Sequence, residues 1–99
     1  MDPAITDIII SDVVVSTAGH DQGKLFYVIG TDPVYLTLAN GKDRTLEKPK
    51  RKKRKHVQKV LRSETRVAAK IKNGDKVLNG ELRRDLAFLA KDASENLGG

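Results

Sequence analysis

The chain has no cysteine and no tryptophan. Without thiols there is no disulfide staple and no thiolate–metal centre, so packing and hydrogen bonding must hold the fold. Four aromatic residues in ninety-nine leave the core to Val, Ile and Leu. No apolar run approaches the roughly 20 residues of a membrane-spanning helix. Near the N-terminus, Ile8-Ile9-Ile10 follows Asp2 and Asp7 and is too short and too acidic for a signal peptide. The expectation is a soluble, cytoplasmic protein with no membrane partner. Catalytic machinery is equally sparse. His20 and His56 stand 36 positions apart with no acid or nucleophile placed to serve either, and neither is spaced with a metal ligand. The carboxylates are scattered over turns and a helical stretch. No enzyme activity, cofactor or metal is expected.

What the chain does have is positive charge, concentrated in one place. Residues 1–41 hold one Lys against five Asp, whereas residues 42–72 hold fourteen Lys or Arg against three acids. From residue 73 onward four basic residues face five acidic ones, and the total is +6. Charge needed only for solubility would be spread along the chain. A focused field favours a polyanionic partner.

The length suits one domain. Residues 1–10 read as a lead-in in which Ile5, Ile8 and Ile10 add an edge strand or pack over one end of a sheet. Val13–Ser16, Lys24–Ile29 and Pro33–Ala39 are β-branched, aromatic or aliphatic runs of strand length. Between them lie the turn-forming clusters Gly19–Gly23 and Gly30–Pro33, and Asn40-Gly41 follows as a type I′ hairpin signal. Gly19 and Gly23 are expected at positive φ. Their loop is no nucleotide P-loop: three residues rather than four separate the glycines, and Leu25 stands where Ser or Thr would be needed. A fourth strand is expected near Arg44–Glu47 and a fifth near His56–Val60, closing a small barrel over residues 11–62.

Between those last strands, residues 48–56 read as a basic loop in which seven of nine residues are Lys or Arg and none is acidic. Mutual repulsion should keep it extended and solvated unless something negative lies against it. Its lysines offer point charges, and Arg51 and Arg54 add forked donors that grip phosphate bidentately. Residues 61–72 fit a helical turn or an extended arm equally well. Within a C-terminal extension over 63–91, Leu78, Leu82, Leu86 and Leu89 recur at helical spacing. The predicted helix covers about 79–91, with Asn79 as its cap and Arg83, Arg84 and Asp85 on the far side. Residues 92–99 are expected to be a disordered tail.

Val13, Val15, Gly19, Asp21, Gly23, Lys24, Leu25, Val28 and Ile29 together resemble the KOW motif, a strand, a glycine-ended loop and a second strand. Leu46–Lys50 onward and Ile71–Gly74, with a helix after it, extend the likeness to bacterial KOW-domain RNA-binding proteins. Those resemble in turn the large-subunit ribosomal protein fourteen family of eukaryotes and archaea. The resemblance spans roughly Val13–Leu89 and implies a mainly β, SH3-like barrel of about five strands with a C-terminal amphipathic helix. It also implies RNA binding and ribosome association, with ribosomal RNA and ribosomal proteins as partners of a monomer. The family pattern places the Val28 position inside, leaving Tyr27 outward, where a tyrosine beside a basic surface can stack on an unpaired base. The rival reading packs Tyr27 beneath the C-terminal helix.

The functional expectation is therefore electrostatic docking on RNA. Phosphate contacts are expected from Lys48, Lys50, Arg51, Lys52, Lys53, Arg54, Lys55, His56 and Lys59, with Lys24, Lys42 and Arg62 extending the patch. A DNA-binding or transcription-linked module using the same field is the alternative. RNA is favoured because of the resemblance, and because no basic helix stands ready for a major groove.

Overall fold

Five strands with suitable alternation or neighbours assemble into one antiparallel sheet, described here from a computed structural model covering residues 8–98, with side chains described as far as Lys91. The strands are β1 (Asp12–Ser16), β2 (Leu25–Thr31), β3 (Tyr35–Ala39), β4 (Lys50–Lys53) and β5 (Val57–Arg62). A 3-10 turn, Arg54–His56, joins the last two. Helix α1 (Arg66–Asn73) and helix α2 (Asn79–Gly98) follow. The spatial order is β4-β3-β2-β1-β5, so β4 and β5 are the edges of the hydrogen-bonded ladder.

Alternation along β2 divides the core. Tyr27 joins Val13 and Ala39 on one face, beneath Val67 and Ala68 of α1 and Leu82 and Leu86 of α2. Phe26 and Val28 join Val14, Leu36 and Leu38 on the other, with Ile8 and half-buried Val57 completing the cluster. Among the described residues, that second cluster is built from the sheet's own residues and Ile8. Each fully buried Val, Leu or Phe contributes about 1.5–3 kcal/mol. Ile8 is buried whereas Ile9 and Ile10 are exposed, and Ile5 lies outside the described residues.

Glycine is required where the chain turns tightly. Gly19 and Gly23 both have positive φ, as expected for the loop between β1 and β2. Gly41 is more constrained: a Cβ there would be driven into the Asn79 carbonyl at the start of α2.

Several expectations are corrected. Arg44–Glu47 forms no strand, and the fourth strand is the basic stretch Lys50–Lys53. Asn40-Gly41 is not a type I′ turn, because among the described non-glycine residues only Ser11 has positive φ. Instead the Asn40 Oδ1 accepts from the backbone N–H groups of Lys42 and Arg44, both at 3.0 Å, and the side chain itself makes the bend. Of the undecided stretch 61–72, Leu61 and Arg62 end β5 and the part from Arg66 onward is α1, capped by Thr65, whose hydroxyl accepts from the Ala68 N–H at 3.1 Å. Gly74, with positive φ, ends it. Helix α2 spans Asn79–Gly98, and the side chains of the tail expected over residues 92–99 lie outside the described residues. Asn79 does not cap it. The capping bond is made by Glu81, which reaches back to the Leu78 N–H at 3.1 Å.

Candidate nucleic-acid interface

The basic segment begins beside a pinned bend. The Asn79 Oδ1 accepts from the Leu46 N–H at 2.8 Å, and its Nδ2 donates to the Glu47 carboxylate at 2.8 Å. That bond holds the Glu47 carboxyl below its ordinary range. Arg44 adds an ion pair at 3.1 Å to buried Asp21 in the loop between β1 and β2. Lys48 and Pro49 then lead, exposed, into β4.

The basic loop expected over 48–56 is corrected at this point: its middle is a strand. Lys50, Arg51, Lys52 and Lys53 lie opposite Leu38, Thr37, Leu36 and Tyr35. Pairing to β3 satisfies one side of this backbone, and each such hydrogen bond contributes about 1 kcal/mol net. Cations on one face of a strand sit about 7 Å apart and repel by about 0.6 kcal/mol in water. Repulsion of that size does not melt a paired edge.

The cations of this segment do different things. Lys52 donates to the Ala18 carbonyl at 2.6 Å and braces the loop between β1 and β2. Arg54 donates from Nε to the Asp32 carbonyl at 2.8 Å and from Nη1 to the Ile8 carbonyl at 3.2 Å, tying the lead-in to the turn. His56 is half-buried and its carbonyl accepts from the Thr17 N–H at 2.8 Å. Lys59 and Arg62, on β5, approach the wholly buried Asp12 carboxylate at 3.5 and 3.2 Å. The same carboxylate accepts from the Ile9 N–H at 2.9 Å. These contacts give both β5 cations a structural task. Lys24 pairs with Asp43 at 3.1 Å, which holds the Asp43 carboxyl low. Together with Lys42, Lys24 lines an open groove of about 440 Å³ against Arg83 and Leu86 of α2, away from β4.

What remains is a cationic edge. Lys48 and Lys55 are exposed at its two ends, Lys53 is exposed on β4, and Lys50 is half-buried. None of the four side chains meets a hydrogen-bond or ion-pair partner among the described residues. Arg51 is 66% exposed and pairs with Asp32 at 3.2 Å, while its guanidinium lies 4.0 Å from the centre of the Tyr35 ring. The Asp32 carboxylate also accepts from the Tyr35 and Val34 N–H groups at 2.7 and 2.9 Å. Those two amides, more than Arg51, hold its carboxyl below the ordinary range.

No protein-family model and no curated protein matches the chain. A functional reading therefore rests on the geometry of its own residues.

Tyr27 is the second correction at the site. It is fully buried under the helices, with its hydroxyl 2.8 Å from that of Ser63 and 3.2 Å from that of Thr65. It also donates to the Asp85 carboxylate, so Asp85 faces inward rather than outward. Burial first, and the bond to Asp85 second, push the phenol up to about 12. No base can stack on such a ring. The aromatic that does stand beside the cations is Tyr35, which the sequence reading left out of the site. Its alternation with Thr37 on a strand next to the basic run was the available signal.

Proposed function

We propose that the chain is a KOW-type RNA-binding protein that docks on ribosomal RNA through phosphate contacts from the β4 edge and the turn after it. The observation that carries this reading is the group Lys48, Lys50, Lys53 and Lys55, set along one edge with no acid to meet among the described residues. Lysines on an edge strand also prevent edge-to-edge pairing between sheets. One or two suffice for that, whereas residues 48–56 carry seven Lys or Arg. Such a density favours displacement of counterions by a polyanion. Of the residues expected to contact phosphate, Lys48, Lys50, Arg51, Lys53 and Lys55 form the core of the interface. Lys52, Arg54, Lys59 and Arg62 support the scaffold that presents it. Binding without catalysis, in the cytoplasm, is the matching role, and no helix among the described residues is long and apolar enough to cross a membrane.

Crosslinking in cells followed by sequencing of the attached RNA tests the reading. Enrichment of large-subunit ribosomal RNA is expected, together with co-sedimentation with large subunits in the presence of excess unrelated RNA. Equal competition by bulk RNA would reduce the role to nonspecific binding, and preferential recovery of duplex DNA would replace it with the transcription-linked alternative.

A further inference from the structure

The sheet face that carries Tyr27 is covered unevenly. Beneath the helices the core takes Val13, Tyr27 and Ala39 from that face, but neither Tyr35 nor Thr37. Those two residues are half-buried, lie opposite Lys53 and Arg51 on β4, and flank the place where β2 supplies only Gly30 opposite Thr37. At the outer part of this face the Arg51 guanidinium rests 4.0 Å from the centre of the Tyr35 ring. One guanidinium face is therefore occupied by tyrosine. With the side chain 66% exposed, the opposite face meets solvent. Asp32 takes one Nη of Arg51 at 3.2 Å and fixes the plane from its edge, and Asp32 is itself anchored by the Val34 and Tyr35 amides. A planar cation held on both face and edge in this way loses little further freedom when something stacks on it.

We propose that the open face of Arg51, backed by Tyr35, seats one unpaired base of a single-stranded RNA segment whose phosphates lie along Lys53 and its neighbours. The inference deepens the RNA-binding reading above and rests on it. Bases splayed from a single strand stack on guanidinium planes as they do on aromatic rings, and a base inside a duplex presents no such face. Phosphate contacts alone make no distinction between a strand with bases and one without. A stacking seat does.

The test uses the full chain and three RNA probes at one salt concentration: an unstructured oligouridylate, an abasic strand with the same number of phosphates, and a blunt duplex. Wild type should bind the oligouridylate about tenfold more tightly than the abasic strand, as one stacked base contributes. Arg51→Lys keeps the charge and removes the plane. It should shrink that preference to about twofold, while any weaker hold on phosphate lowers both affinities together and leaves their ratio untouched. Tyr35→Leu should shrink it as well. If Tyr35→Leu unfolds, the Arg51→Lys comparison decides alone. Equal, salt-dependent binding of oligouridylate and abasic strand by wild type would overturn the seat and leave the RNA reading standing. So would a preference that survives Arg51→Lys intact, or tighter binding of the duplex. No salt-dependent binding of any probe would overturn both.

Discussion

On β5, Lys59 and Arg62 approach Asp12, whose carboxylate is wholly buried; on β4, Lys50 and Lys53 meet no acid among the described residues. The residue types are alike and the strands are the two edges of one sheet. The difference is set by what lies opposite. Stripping a buried carboxylate of its cations costs several kcal/mol, so Lys59 and Arg62 do not readily leave Asp12 for a phosphate. An exposed lysine with no partner has nothing comparable to give up. Local charge density therefore locates a candidate interface only after the cations already committed within the fold are set aside.

The largest expected effect comes from breaking the β5 arrangement. Asp12→Ala removes the acid that holds Lys59, Arg62 and the Ile9 amide, and should lower stability by about 3 kcal/mol in urea unfolding. RNA binding should survive in the folded fraction. A variant as stable as wild type would mean that the β5 cations are no more committed than those of β4.

Tyr27→Phe probes the other anchor of β5, since the Tyr27 hydroxyl binds Ser63 just beyond the strand. A loss of about 1–2 kcal/mol is expected. The phenol also predicts a pH dependence. Its folded pKa, about 12, lies above the ordinary tyrosine value of 10.0. Between those values the folded state holds a proton that the unfolded state has lost. Its contribution is complete below pH 10 and disappears as pH rises towards 12, amounting to about 2–3 kcal/mol at most. Tyr27→Phe should unfold over a higher alkaline range relative to its neutral stability. An identical alkaline profile in the two proteins would remove Tyr27 from the account.

A smaller change sharpens the comparison from the opposite direction. Gln58 is exposed on β5. Gln58→Lys gives that edge a cation remote from Asp12, and should steepen the plot of log affinity against log salt by up to about 1 if RNA reaches β5. An unchanged slope would confine the RNA to the β4 side.

Much of the scaffold was legible in the sequence. Alternating apolar residues marked β1, β2 and β3, and alternation along β2 correctly put Tyr27 and Val28 on opposite faces. It gave no sign of which face the helices cover, and for that reason Tyr27 remained a candidate for stacking. The strand β4 was not legible, because Lys-Arg-Lys-Lys has no apolar residue to set a period. Its structure comes from pairing with β3, a nonlocal partner. Asn40 and Asn79 were read as a hairpin turn and a helix cap, but their side chains bond to the backbone of the bend between them. Asp85 was readable and was misplaced: it lies three residues after Leu82 and four before Leu89, on the flank of the buried stripe.

The central claim is that Lys50, Lys53 and Lys55 are held ready for phosphate while the β5 cations are not. Salt titration of binding to a ribosomal RNA fragment, comparing wild type with Lys50→Gln/Lys53→Gln/Lys55→Gln, tests it most directly. The account predicts an unchanged thermal midpoint and a salt slope shallower by about 2 to 3. Wild-type slope and affinity in the triple variant would contradict it.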